Sequence, residues 1–151
     1  MVTLRKLQTL TWVEWGWLGQ ALLLLPLINL GLHLFGLQQL RRLLAAFPGH
    51  ALPAQAEQTA YVQQVARIVN LAARYGPYRA TCLRRALLLW WWLQRAGIEA
   101  ELQIGARFCE GELQAHAWVE VQGQPIWDDV AVRRIYAVFP GAVSSTMSVS
   151  R

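Results

Sequence analysis

The chain has 151 residues, 55% of them hydrophobic and 15% charged, which excludes an intrinsically disordered segment or a highly charged coiled coil and suits one domain with its own core. Two cysteines cannot build a disulfide scaffold, and no Cys-x-x-Cys pair marks a closed zinc site. The net charge of +5 hides an asymmetry: residues 1–97 carry ten basic and two acidic side chains and residues 98–151 four and seven, so the basic half suits an acidic peptide, a membrane surface or nucleic acid.

Residues 3–46 read as helical, rich in Leu, with a break or kink expected near Pro26. Within them Trp17 to Phe35 is a 19-residue apolar run without formal charge, flanked by Arg5 and Lys6 and by Arg41 and Arg42. That is long enough for a spanning helix. Gln20, Asn29 and His33 would each need a partner at bilayer depth, however, and Gly19, Gly31 and Gly36 dilute the run. No small-x-small cleavage site follows at the distance a signal peptide requires. The region is therefore read as helices that bury against the rest of the chain or rest on a membrane or a partner protein, and the protein as cytoplasmic.

The turn-rich segment Phe47 to Pro53 makes the clearest internal connection. A second helix is expected from about Glu57 to Tyr75, with Tyr61, Val65, Ile68, Val69 and Ala72 at helical spacing and Gly76-Pro77 as its stop. A third starts near Thr81, which can cap it, and runs through Cys82 to Gly97. Leu87 to Leu93, including Trp90, Trp91 and Trp92, is apolar on every side, so this helix should be enclosed by other elements. The period then changes. From Glu99 to Phe108 apolar and polar residues alternate, placing Ala100, Leu102, Ile104, Ala106 and Phe108 on one face. Gln114 to Val121 alternates again, with Ala115, Ala117, Val119 and Val121 opposite His116, Trp118 and Glu120. Gln122-Gly123 is a hairpin signal, and Pro125-Ile126-Trp127 begins the returning strand. The remainder to Pro140 reads as strand and loop, and Ser144 to Arg151 as a polar tail. Helices first and antiparallel strands afterwards make an α+β fold.

Three side chains stand out chemically. Cys82 follows the expected cap of the central helix, where unpaired amides and the helix dipole favour a thiolate, and Arg79, Arg84 and Arg85 add positive potential. A lone cysteine is more often a buried small hydrophobe, a lone strand histidine a structural one, and a lone strand-end aspartate merely solvated. Pairing changes their meaning. A three-residue loop at Val121-Gln122-Gly123 sets Asp128 opposite His116, whereas a two-residue turn at Gln122-Gly123 sets Asp129 there. Opposed Cβ atoms lie only about 5 Å apart, so either carboxylate can reach the imidazole. If the strands pack on the start of the central helix, a thiol nucleophile, a base and an orienting acid meet. Backbone amides at the helix start would stabilise the oxyanion. Cys109 is incidental, because Glu110 and Glu112 beside it oppose a thiolate. A metal site from Cys82, Cys109 and His116 matches no zinc spacing and lacks a fourth ligand. No cofactor motif is present; the arginines are scattered and the tryptophans sit in the expected core, which argues against nucleic-acid binding.

The runs Tyr78-Arg79-Ala80-Thr81-Cys82-Leu83-Arg84-Arg85-Ala86-Leu87, Leu93 to Ile98, Leu102-Gln103-Ile104-Gly105 and Ala115-His116-Ala117-Trp118-Val119-Glu120-Val121-Gln122-Gly123 closely resemble a transglutaminase-like cysteine peptidase. Within that superfamily, which also includes the papain-like peptidases, the likeness is to the leader peptidases of lasso-peptide biosynthesis in their split form, and it covers about residues 60–130. The resemblance implies an enzyme that cuts the leader from a ribosomally made precursor peptide. It implies two partners, a separate leader-binding protein and a macrolactam-forming cyclase; no metal or other cofactor is expected. It maps the nucleophile to Cys82 and the general base to His116, and it selects Asp128 over Asp129 as the third member. With the turn segment and polar tail read above, the expected division is an N-terminal helical region (1–56), a transglutaminase-like cysteine peptidase core (57–143) and a tail (144–151). The Leu-rich helices would exceed what such a core can cover and would dock on a partner, the cyclase or a membrane. Two other readings share these residues. One is an acyltransferase or transglutaminase with the same triad, in which an amine replaces water; the other is a non-catalytic, membrane-associated or partner-binding scaffold.

Overall fold

In the computed structural model, which describes residues 10–47, 49, 55–77, 80–128 and 131–139, three helices precede an antiparallel sheet. The expected helical residues 3–9, most of the turn through Pro53, and the tail lie outside the described residues.

Helix α1 (Trp12–Ala45) begins with a capping box. The Glu14 amide donates to Thr11 Oγ1 at 3.3 Å, and the Thr11 amide donates to Glu14 Oε2 at 2.7 Å. The buried Glu14 carboxylate also accepts from Gln64 Nε2 at 3.2 Å and lies 3.8 Å from the Arg67 guanidinium. The Thr11 amide first, and these partners after it, hold the carboxyl below the ordinary glutamate range although burial pushes the other way. The expected break near Pro26 lies elsewhere. Backbone at Pro26 stays helical, and the non-helical residue inside α1 is Gly36, at φ 72° and ψ 170°. Pro26 loses one intrahelical bond but keeps a helical φ, and its neighbours Leu25 and Ile28 are buried. Gly36 adopts a conformation that a Cβ would forbid. The chain folds back there, so that a methyl on Gly31 would meet Leu40 Cδ1 at 2.8 Å; nine residues along a straight helix they would be about 13 Å apart.

One face of α1, with Leu18, Ala21, Leu25 and Ile28, packs into the core, while Leu23, Leu27, Leu30 and Leu34 are exposed. By length and composition α1 could also cross a membrane. Helix α2 (Gln55–Tyr75) buries Val65, Ile68, Val69 and Ala72 as the spacing predicts, and ends where Gly76 donates to the Ala72 carbonyl. Trp17 meets the rings of Tyr61 and Trp92 edge-on, at 5.5 and 6.2 Å, knitting α1 to both other helices.

Helix α3 (Cys82–Arg95) is enclosed as expected: every residue from Ala86 to Leu93 is buried. It contacts α1 and α2 and also the strands β1 (Ala100–Cys109) and β2 (Glu112–Val121). Its C-terminal carbonyls are satisfied by the Gly97 amide on Gln94 and the Ile98 amide on Leu93. Trp90 Nε1 and Gln94 Nε2 both donate to the Ala100 carbonyl, tying the helix to the first strand at 3.1 and 2.9 Å.

The sheet has the order β3-β2-β1-β4, with β3 at Gln124–Ile126 and β4 at Ala137–Val138. All pairings are antiparallel, and the α+β expectation holds. Phe108 does not share the buried face of β1; it pairs with Leu113 at the solvent end of the hairpin, where both are exposed. The stretch expected as strand and loop after the hairpin contains a single-turn helix, α4 (Val132–Ile135), before β4 returns beside Gly105 and Ala106.

Candidate active site

The start of α3 and the C-terminal half of α2 form two walls of one cleft. Cys82 and Arg85, three residues apart, share a face of α3; Asn70 and Arg74, four apart, share a face of α2. These four line a cleft of about 450 Å³ together with His116 of β2 and Trp127. The sheet wall is open for a topological reason. Strand β3 pairs only with Val119 to Val121 and stops at Ile126, so it does not cover the edge of β2 at His116. Cys82 occupies the first residue of α3, after Thr81 in extended conformation, but the Thr81 side chain makes no capping bond. Side-chain capping, anticipated from Thr81, is absent, and the first-turn amides keep no such competitor.

His116 is held on several sides. Its Nε2 lies 3.1 Å from Asp128 Oδ1. The register is the two-residue one, with Val121 paired to Gln124 across Gln122-Gly123; continued, it would have set Asp129 opposite His116. It is not continued. Trp127, the expected third strand residue, leaves the ladder at φ 67°, a conformation that costs a bulky residue about 1–3 kcal/mol. That turn brings Asp128 to the imidazole. Asp129 lies outside the described residues, as does Arg79.

The imidazole also stacks on Trp118, with centroids 5.9 Å apart and planes 19° from parallel, and meets the Tyr136 ring at 5.3 Å. Gly105 makes room for this cluster. It is the β1 partner of His116, and a Cβ there would lie 2.9 Å from Tyr136 Cβ and 3.0 Å from the Ala137 carbonyl. Behind the rings, Glu120 is 1% exposed and accepts from Trp118 Nε1 at 2.8 Å and from Arg133 Nε at 2.6 Å, with a second Arg133 nitrogen on its other oxygen. The paired carboxylate raises the Arg133 guanidinium above its ordinary value. This two-pronged pair anchors α4, and with it the approach of Tyr136 to His116.

Sequence reasoning missed Tyr136 and the Glu120–Arg133 pair. The alternation did set Glu120 on the His116 face, which was the available signal for one of them. Nothing local marked Tyr136. Cys109 sits at the far end of the β1–β2 hairpin, paired with Glu112. Among the described residues no group of three His, Cys, Asp or Glu side chains could hold a metal ion.

A nucleophile candidate and a carboxylate-bonded histidine thus border one open cleft, an arrangement suited to acyl transfer through a thioester. No curated protein matches the chain, and no solved structure does. The family model described as the transglutaminase-like superfamily matches residues 21–140, most of the chain including the cleft and most of α1. Its members are typically cysteine-dependent enzymes, among them peptidases and acyltransferases. By that match, and with helices followed by a small antiparallel sheet, the chain belongs to the transglutaminase-like superfamily.

Proposed function

We propose that the protein is a cysteine endopeptidase that removes the leader from a ribosomally made lasso-peptide precursor, with Cys82 as nucleophile, His116 as base and acid, and Asp128 as the orienting carboxylate. The observation that carries this reading is the 3.1 Å contact of His116 Nε2 with Asp128, on a histidine lining the same cleft as Cys82. With Asp128 accepting from Nε2–H, Nδ1 is the basic nitrogen left to take the Cys82 proton. The thiolate then attacks the scissile carbonyl, and amides at the start of α3 stabilise the oxyanion. Nδ1–H passes its proton to the leaving amine as the C–N bond breaks, leaving a thioester. Water attacks the thioester while His116 accepts its proton, and the released Cys82 thiolate takes that proton back from His116. In the acyltransferase reading a second amine takes the place of water, so the two readings share their first half and differ in product mass.

In this reading a separate leader-binding protein presents the precursor and a macrolactam cyclase receives the core peptide. The exposed Leu23–Leu34 face of α1 is the surface available to such partners or to a membrane. The test is incubation with precursor and leader-binding protein, followed by mass spectrometry. The expected outcome is hydrolytic release of the leader, reduced roughly a thousandfold or more by Cys82→Ala. A Cys82→Ala protein that still cleaves, or a product carrying a new amide in place of a carboxylate, overturns the peptidase assignment.

A further inference from the structure

The cleft beside Cys82 has a one-sided charge. Its described lining includes the guanidinium groups of Arg74 and Arg85 and no carboxylate. Neither arginine is ion-paired among the described residues. Arg85 Nη1 donates to the neutral Asn70 Oδ1 at 3.3 Å, which uses one of five N–H donors. Arg74 Cζ lies 5.7 Å from the Tyr75 ring centroid, a cation–π contact that needs no N–H donor. The acid of the proposed triad, Asp128, is engaged by His116. The concentration of positive charge in residues 1–97 points the same way. An exposed guanidinium on α2 and a half-buried one on α3, both with donors to spare, border a cleft that also holds a thiol, an arrangement suited to a carboxylate.

We propose that this cleft selects an anionic substrate segment, Arg85 and Arg74 binding the carboxylate of an acidic residue close to the peptide bond that Cys82 attacks. This specificity rests on the reading of Cys82 as nucleophile and names the substrate class for it. The guanidinium on α3, one helical turn from the sulfur, sets the acidic side chain near the cut; the one on α2 closes the opposite wall.

The experiment needs no knowledge of the natural precursor. The full chain is alkylated with iodoacetate or with its neutral counterpart iodoacetamide, and each cysteine is followed separately by peptide mass spectrometry. In both reactions the thiolate forms an S–C bond and iodide leaves, so the ratio of the two rates cancels the reactivity of the sulfur and reports preference for a carboxylate. At Cys82 this ratio should fall about fivefold in Arg85→Gln and in Arg74→Gln, recover in Arg85→Lys, and fall in the parent protein as salt is raised. Cys109, between Glu110 and the paired Glu112, is the internal control and should not respond to either substitution. An unchanged Cys82 ratio in both glutamine variants, with circular dichroism reporting the parent fold, overturns the subsite. Failure of the underlying reading is separately visible, as a His116→Ala protein whose Cys82 reacts with iodoacetamide at the parent rate.

Discussion

Helices α1 and α3 are both dominated by leucine and tryptophan, yet the fold treats them differently. Every residue from Ala86 to Leu93 of α3 is buried, because helices cover one side of it and strands the other. Helix α1 meets neighbours along one face and leaves Leu23, Leu27, Leu30 and Leu34 exposed on the other. Apolar composition sets how much a helix can bury; the number of elements around it sets how much it does. The enclosed helix holds Cys82 at the cleft, and the uncovered one offers apolar surface.

The contrast can be broken most forcefully at Leu88, which is 0% exposed in α3. Replacement by Ala should cost about 2–5 kcal/mol, from lost transfer energy and the cavity left behind. Denaturant unfolding reads this as a lower midpoint with an unchanged slope, and a loss well under 1 kcal/mol would mean the helix is not enclosed. A middle effect belongs to Glu14, the polar residue that α1 buries. Glu14→Ala removes the capping-box acceptor and the bond from Gln64, for about 1–2 kcal/mol at neutral pH. Because the native Glu14 carboxyl titrates below its ordinary value, its stabilisation is present above the unfolded pKa and lost as pH falls through the native one. Parent and variant melting curves should therefore converge in strong acid; a constant gap would contradict the assigned role. The smallest effect is expected at Leu23, 66% exposed on the free face of α1. Leu23→Gln keeps helix propensity and should change the stability of the isolated protein by no more than about 0.5 kcal/mol. A larger loss would reveal that this face is already covered.

Much of the site could be read before the fold was known, for identifiable reasons. Cys82 announced itself by its place after Thr81 at the head of an apolar run, and His116 by its place in an alternating segment. Helix α2 and the Gln122-Gly123 hairpin followed from local periodicity and turn chemistry. Register arithmetic alone would not have named the carboxylate that contacts His116. The two-residue turn formed, which by continuation names Asp129, and only the departure of Trp127 from the ladder delivers Asp128 to His116. The family resemblance had pointed to Asp128. Pro26 misled because its missing amide is the obvious breaker, whereas the actual reversal at Gly36 depends on Leu40 finding a seat against Gly31.

What the sequence determined by itself is whatever nearest neighbours along the chain decide: where helices run, where the period changes to two, which face of a strand is apolar, and which side chains carry reactive chemistry. Tertiary structure alone decided what depends on residues meeting across long stretches of chain. Glu120 finds Arg133, Tyr136 closes on His116 over the bare backbone of Gly105, and two arginines on separate helices come to share a cleft with Cys82. Local periodicity cannot encode such meetings, because each depends on where another element ends and on how closely two backbones can approach.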